Sequence, residues 1–175
     1  MGRRSDFARR PQDKYYTPYE AVLPLLPHLA PNTRFTEPCA GDGRLIDHLE
    51  KHGHLCVDAF DISPERKDVV QADALEVVVD APEEGEVCCS NPPWTRQILH
   101  PLIEHWRVQM PTWFLFDAEW MHTKQSAPFM PYCHSVVSIG RVKWIEGSKS
   151  TGKDSCCWYG FGAEQTETRF YGRTP

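Results

Sequence analysis

The chain has 175 residues, 41% hydrophobic and 25% charged. That is enough length and apolar content for one domain with a sizeable core and no metal or disulfide staples, and it excludes general disorder. No apolar run approaches the ~20 residues needed to span a bilayer, and a formal net charge of -5 argues against a broadly basic nucleic-acid coat.

The charge is unevenly placed. Arg3, Arg4, Arg9, Arg10 and Lys14 oppose only Asp6 and Asp13, so residues 1–14 read as a basic, flexible arm ahead of a single domain over 15–175. No hydrophobic stretch follows Met1-Gly2-Arg3-Arg4-Ser5, and a secretory leader is not expected. A soluble, cytoplasmic protein is expected.

Tyr16-Thr17-Pro18 leads into an apolar helical pattern at Tyr19, Val22, Leu23, Leu26 and Leu29. Thr17 reads as its cap and Pro18 as its first residue. Pro24 and Pro27 predict that this helix is short or kinked. Arg34-Phe35-Thr36-Glu37 reads as a strand ending at Pro38, followed by the glycine turn Cys39-Ala40-Gly41-Asp42-Gly43. Leu45, Ile46 and Leu49 define a helix face that Gly53 terminates. Residues 55–60 form a second predicted strand ending at Asp61, residues 69–72 a third with Asp73 at its tip, and residues 86–90 a fourth ending at Asn91.

Ile98, Leu99, Leu102, Ile103 and Trp106 mark the next helix, and residues 112–116 an apolar strand ending at Asp117. Residues after Asp117 are assigned a last helix and strands. Residues 135–139 and 155–159 read as an antiparallel pair around a polar loop at 147–153. The expected fold is α/β, a doubly wound, mostly parallel sheet with a C-terminal antiparallel hairpin at its edge. Ligands in such sheets collect beyond the carboxyl ends of the strands, where Glu37 to Gly43, Asp61, Asp73, Asn91 and Asp117 stand.

Seven cysteines include the adjacent pairs Cys88-Cys89 and Cys156-Cys157. Neighbours on a strand face opposite ways, and no C-x-x-C exists to seed a zinc site. They read as buried small hydrophobes of a reducing compartment. His48, His52 and His54 lack a convincing set of further metal ligands, and Trp113, Phe114 and Phe116 read as core.

Gly41-Asp42-Gly43, between a strand and a helix, lets a ligand approach the backbone closely. It is neither the full dinucleotide fingerprint nor a phosphate-binding P-loop. Asp61 at the next strand tip can accept hydrogen bonds from ribose hydroxyls, and Asp73 at the third can face an adenine amine. In that order they suggest a nucleoside-bearing cofactor. Ser90-Asn91-Pro92-Pro93-Trp94 supplies the chemistry. The Asn91 side-chain carbonyl and the Pro92 backbone carbonyl are two acceptors that can grip the hydrogens of a planar amino group, with its lone pair held in line for attack. Trp94 can stack on the base that bears the amine.

Asn91-Pro92-Pro93-Trp94 resembles the motif of Asn, Asp or Ser followed by Pro-Pro and an aromatic residue in S-adenosylmethionine-dependent amino-methyltransferases, especially DNA N6-adenine methyltransferases. Glu37 to Gly43 is similar to their cofactor motif, and Tyr16-Thr17-Pro18 to the N-terminal segment that lies over the methionine part of the cofactor. The order of the motifs resembles the gamma arrangement, in a compact form similar to enzymes of bacterial viruses and prophages, which would place the protein in a host cytoplasm. The resemblance implies a seven-stranded class I methyltransferase sheet and cofactor contacts from Tyr16, Thr17, Pro18, Glu37, Cys39, Ala40, Gly41, Asp42, Gly43, Asp61, Ile62, Asp73, Ala74 and Asn91. It also implies catalysis by Asn91, Pro92, Pro93 and Trp94, giving S-adenosylhomocysteine without any metal.

DNA is the expected partner. RNA, or an additional recognition subunit, is the alternative, because no separate target-recognition domain is legible. Recognition then falls to Trp94, Trp144, Lys149 and Lys153, or to the basic arm. The same motif serves RNA adenine, DNA cytosine N4 and protein glutamine N5 methyltransferases, and an inactive nucleic-acid-binding relative is the non-enzyme alternative.

Overall fold

The computed structural model describes residues 15–144, 152 and 154–173. Eight strands, β1 (Arg34–Glu37), β2 (Leu55–Asp61), β3 (Val70–Gln71), β4 (Val87–Ser90), β5 (Thr112–Asp117), β6 (Cys133–Arg141), β7 (Ser155–Phe161) and β8 (Arg169–Tyr171), form one sheet. Its order is β3-β2-β1-β4-β5-β7-β6-β8. Strands β1 to β5 pair parallel, and β7 runs antiparallel to both neighbours.

The expected antiparallel pair is present, but it is not the sheet edge. β7 inserts between β5 and β6, and β8 pairs parallel with β6 beyond them, so the sheet has eight strands rather than seven. With three residues and Phe170 exposed, β8 carries too little alternation to read as a strand.

Alternation along the central strands divides the core between two faces. Cys89, Trp113, Leu115, Cys156 and Trp158 pack on one face with α1 (Tyr19–Val22) and α2 (Arg44–Glu50). Cys88, Phe114, Phe116, Cys157 and Tyr159 pack on the other with α3 (Arg96–Arg107). Each adjacent cysteine pair is thus split between the faces, and all seven thiols are free. Two buried indoles tie the elements together, β7 to α1 and α3 to the segment after β3. Trp158 Nε1 donates to Ala21 O at 2.7 Å, and Trp106 Nε1 donates to Ala74 O at 3.0 Å.

Helix α1 is short, as its prolines require, and is followed by a 3-10 turn at Leu26–His28. Its cap is Pro18 in extended conformation, one residue later than expected. Between β5 and β6 there is no last helix. Three 3-10 turns, Ala118–His122, Lys124–Ser126 and Met130–Tyr132, fill that stretch, where Pro128 and Pro131 deny a longer helix its N–H donors. Among the described residues no helix is long and apolar enough to cross a membrane.

The chain reverses its direction of travel across the sheet between β1 and β4, which lie side by side. Crevices open at such switch points, beyond the strand carboxyl ends.

Candidate cofactor and acceptor site

A cavity of about 300 Å³ occupies that crevice, within the size range of small-molecule sites. Glu37, the last residue of β1, forms part of its wall at 2% exposure, and its Oε2 is buried without a hydrogen-bond partner. Burial, then the nearby Asp61 and Asp42 carboxylates, push its pKa well above the usual glutamate range. Burial, then the Asp61 and Glu37 carboxylates, push the neighbouring Cys39 thiol up as well. The wall therefore favours a bound cation.

The glycine turn beside Glu37 is pinned by acids. Gly41, at φ 55, donates its N–H to Asp61 Oδ2 at 2.8 Å, and Asp61 Oδ1 accepts from Ser63 N at 2.7 Å. Asp42 accepts from Arg44 N and pairs with its guanidinium at 2.8 Å. Gly43, at φ 78, stands in a backbone conformation that disfavours a side chain, and a Cβ there would displace the Arg66 guanidinium. Arg66 in turn donates to Gly43 O and to Asp47. Asp73 accepts from Leu75 N at 2.9 Å on the far wall.

Asn91 stands where β4 ends, at the other side of the cavity. Its Nδ2 donates to Tyr15 O at 2.9 Å, while its Oδ1 accepts from Trp94 Nε1 at 3.3 Å. The reverse amide orientation would set two oxygens against each other, so chemistry decides it. Trp94 also donates to Leu115 O at 3.1 Å. Its ring meets Trp144 edge-on at 5.5 Å between centroids, and Trp144 meets Tyr15 at 6.2 Å.

The cavity brings together Tyr16, Thr17, Glu37, Cys39, Ala40, Gly41, Asp42, Asp61, Ile62, Asp73, Ala74, Asn91 and Pro93. Pro18 and Gly43 are not part of its wall, because Pro18 caps α1 and Gly43 turns toward Arg66. Pro92 is buried, and Trp94 faces Trp144 beside the cavity instead of lining it. Lys149, Lys153 and the basic arm lie outside the described residues.

Sequence reasoning missed Tyr15, Leu45, Leu75, Ile98 and Leu102 in the wall. Ile98 belongs to the apolar stripe of α3 and so read as core. Ile98 is 42% exposed, Ile62 60% and Leu75 37%, three apolar side chains of the cavity wall that are open to solvent. Among the described residues no group of three or more His, Cys, Asp or Glu could hold a metal ion. Instead, His48 and His52 contact the Tyr19 ring.

No protein-family model and no curated protein sequence matches the chain. Solved structures do. A candidate RNA methyltransferase of Pyrococcus horikoshii matches at TM-score 0.58 and 16% identity, over 89% of this chain and 88% of that one. A modification subunit from a candidate type I restriction enzyme of Vibrio vulnificus matches at TM-score 0.61 and 11% identity, over 93% of this chain but 47% of that one. The chain has the methyltransferase fold. A dimethyladenosine transferase of Plasmodium falciparum shares that fold at TM-score 0.53 and 15% identity, over 85% of this chain and 62% of that one. In the methyltransferase fold of this chain, the glycine turn, Asp61, Asp73 and Asn91 all border one cavity.

Proposed function

We propose that the chain is an S-adenosylmethionine-dependent amino-methyltransferase that acts on N6 of adenine in DNA. The observation that carries this reading is the Asn91 amide. It stands at the tip of β4, bordering the same cavity as the glycine turn, with its nitrogen donating to Tyr15 O and its oxygen accepting from Trp94 Nε1.

The residues present fit the cofactor. Glu37 Oε2, buried and without a partner, suits an ammonium, and the Glu37, Asp42 and Asp61 carboxylates suit its overall positive charge. Asp61 uses one acceptor position of each oxygen on backbone N–H groups and keeps others for ribose hydroxyls. Ile62, Leu75 and Ile98 offer apolar surface to an adenine ring, with Asp73 beside them. When bound, S-adenosylmethionine supplies a methyl group made electrophilic by its sulfonium sulfur.

The protein's part is orientation and electrostatics. Asn91 Oδ1 and the Pro92 carbonyl accept the two hydrogens of the target amine, aim its lone pair at the methyl and stabilise the positive charge that grows on nitrogen. The proton is lost after attack, so no strong base is required. Trp94 and Trp144 offer aromatic surface to the base. A duplex adenine reaches them only by leaving the stack.

A second reading, RNA adenine, is favoured by the similarity to the Pyrococcus protein over nearly the whole of both chains. The test is label transfer from S-adenosylmethionine to separate DNA, RNA and protein acceptors, followed by digestion to nucleosides. N6-methyldeoxyadenosine is expected. N6-methyladenosine from RNA would select the second reading, and label on cytosine N4 or only in protein would reject both.

A further inference from the structure

The segment 15–17 touches both halves of the cavity. Tyr15, Tyr16 and Thr17 all line it. On one side the Tyr15 carbonyl receives Asn91 Nδ2 at 2.9 Å. On the other, Tyr16 OH donates to both oxygens of Glu65, at 2.8 and 3.0 Å, a charge-assisted pairing. Glu65 is itself anchored, because its N–H donates to Gly41 O at 3.0 Å. The Arg44 guanidinium sits over the Tyr16 ring at 4.9 Å. Since Glu65 follows β2 and Asn91 follows β4, with β1 between them in the sheet, the segment crosses above the end of β1 and the glycine turn.

We propose that this segment is a positioning strap: the Tyr15 carbonyl sets the orientation of the Asn91 amide, and the Tyr16–Glu65 bond holds that carbonyl in place. The inference rests on the methyltransferase reading for its consequence but not for its geometry. An asparagine amide rotates easily about its last torsion, and only one of its two faces presents an oxygen to an amine. With Nδ2 committed to Tyr15 O, Oδ1 is left to the acceptor side. Trp94 Nε1 already bonds to it and so reports on its position. The latch is at Glu65, which follows β2, whereas Asn91 follows β4, so loosening it is expected to reach Asn91 through the strap.

Four variants test this. Tyr16→Phe removes the latch hydroxyl and keeps the ring. Glu65→Ala cuts the latch from the exposed side. Glu65→Gln keeps a carbonyl acceptor for the hydroxyl. Asn91→Asp keeps the acceptor oxygen but sets a carboxylate against the Tyr15 carbonyl. In nitrogen-15 NMR spectra of the cofactor-free protein, Tyr16→Phe and Glu65→Ala are expected to move the Asn91 side-chain amide and the Trp94 indole resonances, and Glu65→Gln to restore them. Unmoved resonances in the first two variants overturn the proposal.

In turnover at saturating S-adenosylmethionine, Tyr16→Phe and Glu65→Ala are expected to lower kcat about tenfold. Glu65→Gln should stay near wild type, and Asn91→Asp should lose turnover despite its oxygen. A rise in KM for the cofactor with kcat unchanged means a mere cover and overturns the strap. If the unaltered protein methylates nothing, the enzymatic reading fails, and the spectra alone decide the strap.

Discussion

On the β1–β3 side of the cavity, carboxylates hold backbone N–H groups. Asp61 grips Gly41 and Ser63, Asp42 grips Arg44, and Asp73 grips Leu75. On the β4–β7 side, neutral side chains donate to backbone carbonyls, Asn91 to Tyr15 O and Trp94 to Leu115 O, and meet one another. Asn91 accepts from Trp94, Trp94 faces Trp144, and Trp144 faces Tyr15. The first construction fixes main chain with charge-assisted bonds and suits a ligand that is always the same. The second uses neutral bonds, with ring contacts at Trp144 that rearrange at lower cost, and suits an acceptor base that must enter and leave. Damage to the two sides is therefore expected to separate: cofactor affinity on one, acceptor handling on the other.

The largest effect on cofactor affinity should come from Asp61→Ala, which strands two backbone N–H groups and removes the proposed ribose ligand. Titration calorimetry with S-adenosylhomocysteine is expected to show affinity reduced about 10²-fold. Unchanged affinity would erase the distinction between the two sides. Gly43→Ala comes next, forcing an alanine into positive φ and against Arg66. A loss of about 1–2 kcal/mol in stability is expected, read as a lower Tm.

Trp144→Ala, on the other side, should raise KM for the nucleic-acid acceptor about tenfold, the scale of one base-stacking contact, and leave cofactor affinity as it was. Equal damage to both would show that the indoles support the whole cavity.

The smallest effect is a pH slope. The Glu37 pKa is raised on folding, so the folded protein holds a proton that the unfolded chain releases, and stability falls as pH rises above the ordinary glutamate range. Glu37→Gln lacks this slope. Its Tm should gain on wild type from about pH 5 upward, and bound S-adenosylmethionine should narrow the difference by offering its ammonium to the carboxylate. Parallel Tm curves would remove Glu37 from the cationic wall.

Much of this was legible in the sequence, for a physical reason in each case. Arg34–Glu37 is closed by Pro38 and the apolar run Val87-Cys88-Cys89 by Asn91-Pro92, and the acidic tips Asp61 and Asp73 stood at the ends of the strands between them. Cys88-Cys89 and Cys156-Cys157 announced strands buried on both faces. What stayed hidden is tertiary. The place of β7 between β5 and β6 depends on pairing partners that a local pattern does not name. Ile98 looks like any member of a helix stripe until the cavity opens beside it. Tyr15 acts on Asn91 through a backbone carbonyl, which every residue has, and Pro92 and Trp94 carry a motif whose members do not all face the same space.

The most direct test of the central claim is a paired measurement on Asn91→Ala: S-adenosylhomocysteine binding by calorimetry, and methyl transfer to DNA. Binding is expected within about tenfold of wild type, and turnover reduced by about 10² or more, the loss that follows when a group aimed at developing charge is removed. Methyl transfer at the unaltered rate would contradict that claim.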